Sequence, residues 1–172
     1  MPNNIETTRL ELVAAGPELL RLELEGAAAV AAALSVTVPK DWPPGEYDRD
    51  ALSFFLEQYA ELGAEAEGWY AWYAIDRASA TLVASAGYFG PPDLEGRVEI
   101  GYSVCAEWRR QGIATEVVKA LVDHAFTRGA RRIVAHTSSD NLASRGALDK
   151  NGFCTCASER DGMIAFEHAA PR

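Results

Sequence analysis

The chain has 172 residues, 48% of them hydrophobic and 24% charged, with a formal net charge of −9. That length suits one core, so a single domain over residues 1–172 is expected, and the composition excludes intrinsic disorder, collagen-like repeats and a disulfide scaffold. The longest apolar run, Ala27 to Leu34, falls far short of the ~18 residues that begin a membrane span. No basic-then-apolar leader opens MPNNIETTRLEL, so a cytoplasmic protein with no membrane partner is expected.

In chain order, Thr8–Val13 alternates apolar and charged residues and predicts a short half-buried strand. Gly16-Pro17 opens a helical stretch to Leu34 with a break near Gly26, because proline suits a first helical turn and glycine interrupts one. Ser35–Asp50 contains three prolines and a glycine and reads as a loop, after which Asp48 or Asp50 caps a helix to about Gly63. Three strands, Trp69–Asp76, Thr81–Phe89 and Arg97–Val104, are joined by connections of hairpin length and predict an antiparallel meander. The clearest helix, Ile113–Thr127, carries Val117, Ala120, Leu121, His124 and Ala125 on one stripe. A strand at Arg132–His136, a helix at Leu142–Asn151 capped by Asp140 or Asn141, and strands at Phe153–Ser158 and Met163–Glu167 complete a mixed α/β chain.

Charge is unevenly spread. Residues 1–100 carry 6 Lys+Arg against 17 Asp+Glu, net −11, and residues 101–172 carry 10 against 8, net +2. An anionic ligand therefore favours the second half and a cationic one the first, while overall acidity argues against nucleic acid as a partner. The three cysteines are an odd number for disulfide pairing. Cys154 and Cys156 read as same-face residues of a strand, since His124, His136 and His168 do not stand at ligand spacing, and no metal is expected.

Arg109-Arg110-Gln111-Gly112-Ile113-Ala114 lies between a strand and the long helix. The free N–H groups and positive dipole end of that helix, a glycine that lets the backbone approach a ligand, and flanking guanidiniums together make an anion site suited to a diphosphate. A Walker loop is excluded because no Gly-Lys-Ser/Thr follows, and a Rossmann fingerprint because Gly112 has no glycine partners. Along Arg97–Val104, alternation sets Val98, Ile100, Tyr102 and Val104 on one face and Glu99, Gly101 and Ser103 on the other. Glu99 reads either as a solvated strand residue or as a general base.

Three ordered pieces, VEIGYSV, WRRQGIATEVV and NLASRGALDKNGF, resemble the acetyl-CoA-dependent N-acetyltransferases of the GNAT superfamily. The opening TTRLELV and the DWPP loop look closest to the branch of ribosomal-protein N-terminal alanine acetyltransferases. The resemblance implies an α/β (α+β) GNAT fold, with a mixed, mostly antiparallel central sheet splayed to hold acetyl-CoA and flanked by helices. It implies that Arg109, Arg110, Gln111, Gly112, Ile113 and Ala114 bind the pyrophosphate, with Thr115 also cofactor-binding, that Ser103, Val104 and Cys105 pair with the pantetheine arm, and that Asn141 holds that arm. It makes Glu99 the catalytic base, and places Ser144 near the sulfur as cofactor-binding residue and proton donor. The family's usual tyrosine, four residues before the glycine of Gly152-Phe153, is Leu148 here, which leaves open whether a dedicated acid exists.

Trp42, Glu99 and Tyr102 are expected at the acceptor. Trp69, Tyr70, Trp72 and Tyr73 fit either an acceptor pocket or the core, and His124 reads as a core residue. His136 ends a strand near the cleft, where a base role is open. The acidic residues Asp41, Glu46, Asp48 and Asp50 either attract a cationic amine or form a solvated loop. The expected activity is direct transfer of acetyl from acetyl-CoA to a primary amine, a protein N-terminus or a small amine, in a ternary complex. The alternative is a non-catalytic acyl-CoA-binding module. A homodimer is implied by the resemblance alone.

Overall fold

The computed structural model describes residues 4–45 and 47–171; Met1 to Asn3 of the opening segment and Glu46 of the acidic group lie outside them. Strands β1 (Ile5–Glu6) and β2 (Leu10–Ala14) lead into helices α1 (Pro17–Glu25), α2 (Ala27–Leu34) and α3 (Arg49–Leu62). Strands β3 (Ala71–Asp76), β4 (Thr81–Tyr88) and β5 (Arg97–Val104) follow, then α4 (Ile113–Thr127), β6 (Arg132–Ser138), α5 (Leu142–Lys150), β7 (Cys154–Arg160) and β8 (Met163–Ala169). The eight strands form one sheet in the order β1-β2-β3-β4-β5-β6-β8-β7. Every neighbouring pair is antiparallel except β5 and β6, which α4 connects in parallel.

The helix boundaries follow local chemistry. Pro17 starts α1, and Gly26, at φ +133°, separates it from α2. Asp48 caps α3 by accepting the Ala51 N–H at 2.9 Å, and Asn141 caps α5 by accepting the Ser144 N–H at 3.0 Å. Several expectations shift, among them that β6 runs on to Ser138, so His136 lies within the strand rather than at its end. The β1 pairing Ile5↔Leu12 has too few residues to show a pattern in sequence. Trp69 and Tyr70 precede β3 rather than belonging to it, because Trp69 N–H closes a turn on Ala66 and Gly68 stands at φ +76°.

One face of the sheet packs on α4, which lies over β4 and β5. The other is covered by the N-terminal helices and by loop residues 39–45 and Tyr47, with the Ser85 hydroxyl donating to Pro44 O and the Tyr47 hydroxyl to Ala86 O. Trp42 belongs to this packing. Its indole is 8% exposed, stands edge-on to Tyr73 at 5.2 Å and donates to Glu23 Oε1 at 2.8 Å. Burial pushes the Glu23 carboxyl up. Trp72 and Tyr73 are fully buried, which gives these aromatics a packing role.

His124, on the apolar stripe of α4, packs edge-on against Trp72 with ring centroids 4.9 Å apart. The Tyr88 hydroxyl donates to Leu121 O at 2.7 Å, so its oxygen accepts from His124 Nδ1–H at 2.9 Å. Nε2 is then a buried acceptor with no partner among the described residues. A proton there would meet no acceptor and would feel the positive charge of Arg128, and burial first, Arg128 second, pushes the imidazole down to about 4. Because the unfolded chain binds this proton near pH 6.5, the unfolded state holds more protons between pH 6.5 and 4, and stability falls as pH drops through that window. The loss is of order 2 kcal/mol once partial solvent access is allowed for. Urea midpoints at pH 7 and pH 4.5 test this: His124→Phe should show the smaller acid loss, and equal losses in both proteins would refute it.

Candidate active site

Strands β5 and β6 pair from Arg97↔Arg132 to Ile100↔Ala135 and then separate. Past that point β5 stays with β4 as far as Val104, and β6 stays with β8 as far as Ser138. The divergence opens a cleft of about 710 Å³ between the end of β5, the start of α4 and the start of α5. Its walls include Tyr102, Ser103, Val104, Arg109, Arg110, Gly112, Ile113, Ala114, Thr115, Asn141 and Ser144. Cys105 and Gln111 are not among the cleft residues.

The register corrects one expectation about β5. Cys105 is fully buried and its N–H donates to Val83 O at 2.9 Å, so its backbone is turned toward β4. Ser103, opposite Ser85, shares that direction, whereas Val104 turns its N–H and C=O to the free edge. An added strand would therefore pair with Val104, while Ser103 contributes a cleft wall and Cys105 does neither. The Val104 carbonyl accepts from Arg109 Nε at 3.1 Å, a partner on the side away from β4. Burial, with the Asp41 charge, pushes the Cys105 thiol up to about 12, so it is no source of thiolate.

At the start of α4, Gly112 adopts φ +79° and Arg110 φ +58°, and no side chain caps the helix. The first N–H groups of a 15-residue helix thus point into the cleft beside Arg109 and Arg110. A Cβ on Gly112 would meet nothing within 4 Å, so the space above the backbone is open. The loop is braced from behind: Arg9 Nη1 donates to Gln111 O at 2.6 Å, Gln111 Nε2 donates to Glu107 O at 2.9 Å, and Glu116 accepts from Arg9 N–H at 2.8 Å and from the Thr7 hydroxyl. Gln111 acts as a brace here. These features fit the pyrophosphate and pantetheine of acetyl-CoA, whose thioester would supply the acyl group.

On the opposite wall, the Tyr102 and Ser144 hydroxyls lie 2.7 Å apart, and Tyr102 also lies 3.2 Å from Ser144 O. Tyr102 thus faces the start of α5, through the β5 face that also carries Val98 and Ile100. Burial pushes its hydroxyl up, with the Ser144 hydrogen bond pulling the other way. Asn141 commits its side-chain oxygen to the α5 cap, leaving its amide group for a ligand. Leu148 is fully buried beneath this wall.

Glu99 lies where β5 and β6 begin to part, on the face opposite Tyr102. Its Oε1 accepts from His136 Nδ1 at 2.8 Å, and both side chains are partly exposed. The sequence offered both residues separately. Their pairing follows from the parallel register Glu99↔Val134, which puts His136 two residues further on the same face. Trp108, Leu142 and Lys150 also line the cleft; they lie within WRRQGIATEVV and NLASRGALDKNGF, but the resemblance assigns them no role of their own. Among the described residues, no group of three or more His, Cys, Asp or Glu is placed to hold a metal ion, and no helix is long and apolar enough to cross a membrane.

A splayed sheet whose gap faces an uncapped helix N-terminus is the arrangement expected of an acyltransferase of the class that uses acetyl-CoA. The family described as Acetyltransferase (GNAT) domain matches residues 18–154, and the chain belongs to it. It is 30% identical over 114 residues to the uncharacterized N-acetyltransferase YjdG of Bacillus subtilis, covering 66% of this chain and 67% of that protein. Among solved structures, a putative ribosomal-protein-serine acetyltransferase from Vibrio cholerae superimposes with a TM-score of 0.64 at 18% identity, covering 99% of each chain. RimL, a ribosomal L7/L12 alpha-N-protein acetyltransferase in complex with coenzyme A, superimposes with a TM-score of 0.62 at 22% identity, covering 97% of this chain and 98% of that one.

Proposed function

We propose that the chain, as a single acetyltransferase domain, moves acetyl from acetyl-CoA directly to a primary amine in a ternary complex. The observation that carries this reading is the Glu99–His136 pair at the mouth of the β5–β6 gap, 2.8 Å apart, beside a cleft suited to the cofactor. An ammonium must lose its proton before it attacks, and the Glu99 carboxylate, held by the imidazole, accepts that proton directly or through a water. Val104, the Arg109–Thr115 segment and Asn141 hold the cofactor. The Tyr102 and Ser144 hydroxyls, 2.7 Å apart, share a hydrogen bond and stand together on the side proposed for the departing sulfur. The raised thiol of Cys105 supports direct transfer over a cysteine-bound acetyl group.

The RimL neighbour, named an alpha-N-protein acetyltransferase, supports a protein N-terminus as acceptor, and the acidic first half equally supports a small cationic amine. A cytoplasmic homodimer, with neither nucleic acid nor membrane as partner, completes the reading. The second reading, a CoA-binding module without turnover, draws on Leu148 standing where the family's tyrosine is expected. Thermal unfolding with acetyl-CoA tests the shared step: ligand at about 100 times its dissociation constant should add about 2.7 kcal/mol and raise the midpoint by several degrees. Thiol release with a panel of peptides and amines then separates the two readings. No midpoint shift at millimolar acetyl-CoA would end both.

A further inference from the structure

We propose that Phe89 forms an apolar shelf for the acceptor, so that the enzyme selects primary amines carrying a hydrophobic group beside the nitrogen. This deepens the transferase reading and rests on it. Phe89 follows Tyr88, whose hydroxyl reaches Leu121 on the α4 side, and alternation sends Phe89 to the other face of the sheet. There the ring lies over Gly101: a Cβ on Gly101 would come within 3.3 Å of ring carbon Cε2 and 3.5 Å of Cζ. The ring thus occupies the place of the side chain Gly101 lacks, yet it remains 66% exposed.

Single exposed hydrophobic residues are ordinary on protein surfaces. The position of this one is what gives it a role. Glu99, Gly101 and Ser103 succeed one another on the same face of β5, the first being the proposed base and the last a wall of the cofactor cleft. Phe89 covers the residue between them, and its N–H donates to Glu99 O at 3.0 Å, fixing the shelf in register with the base. An amine that approaches the cleft beside Glu99 crosses this ring. A hydrophobic group next to the nitrogen would bury both itself and the ring, whereas a polyamine would lay a charged, strongly hydrated chain on an apolar surface. The same chemistry is offered by an arylalkylamine and by a peptide whose first residue is apolar.

Conjugates in which the CoA sulfur is joined through an acetyl linker to an amine test this without requiring turnover. Three are needed: phenethylamine, the N-terminus of a Phe-initiated tripeptide, and putrescine. The intact protein should bind at least one apolar conjugate about tenfold or more tightly than the putrescine conjugate, a gap of about 1.4 kcal/mol. Whichever apolar conjugate binds tighter identifies the source of the hydrophobic group. In Phe89→Ala the gap should shrink to about threefold or less, while free CoA binds as before. Phe89→Leu, which keeps an apolar side chain, should preserve most of it. Equal affinities in the intact protein, or a gap that survives Phe89→Ala, would overturn the shelf. If neither free CoA nor any conjugate binds, the transferase reading itself fails, an outcome distinct from loss of selectivity alone.

Discussion

Glu99→Gln is expected to lower kcat by about 10²- to 10³-fold, within the range supplied by a positioned general base, while leaving acetyl-CoA affinity unchanged. The amide keeps the size of the side chain and can still hydrogen-bond to His136, but it cannot accept a proton from an ammonium. The cofactor should not register the change, because Glu99 is absent from the walls of the cleft that would hold it. Ser144→Ala and Tyr102→Phe should cost less, since a thiol leaves tolerably near neutral pH without a dedicated acid. Steady-state rates together with acetyl-CoA binding by calorimetry check the assignment. If Glu99→Gln loses less than a few-fold in kcat with a nucleophilic amine at saturation, proton removal lies elsewhere, and His136 becomes the residue to replace.

The elements that sequence made legible are those whose pattern is local. The apolar stripe of α4 from Ile113 to Thr127 and the alternation of β5 both reproduce in the structure with the same bounds. Capping chemistry placed each helix start within two candidate residues, and the structure selects Asp48 and Asn141. What could not be read was set by pairing across long separations. The Glu99–His136 contact needs the parallel register of β5 and β6, residues 37 apart in the chain. The orientation of the Cys105 backbone depends on which β4 residue stands opposite, and nothing within SVCAEW declares it. Trp42 lies in a proline-rich loop, where a pocket role was reasonable. Its burial comes from Glu23 on α1 and Tyr73 on β3, two elements remote in sequence that the loop crosses. In sequence Phe89 reads only as the end of a strand, because its position is defined by what Gly101, twelve residues later, does not carry.

The pair Arg109→Glu and Gly112→Asp should abolish the acetyl-CoA stabilisation seen in the parent, raising the dissociation constant by about 100-fold or more, equivalent to at least about 2.7 kcal/mol. Two negative charges would then stand where the dipole end and free N–H groups of α4 meet a diphosphate, reversing the local field rather than merely weakening it. Losing Arg109 also removes the donor to the Val104 carbonyl. The fold should tolerate both changes. Arg109 is exposed, a Cβ at Gly112 has no neighbour within 4 Å, and aspartate is among the residues that adopt a left-handed backbone at modest cost. An unliganded melting midpoint within a few degrees of the parent would establish that the variant folds. A midpoint that still rises with acetyl-CoA to the parent's extent would place the cofactor away from this helix and remove the basis for assigning roles to Arg109 through Thr115. Loss of the shift with the fold intact would fix the diphosphate at α4, and with it the direction from which the thioester reaches Glu99.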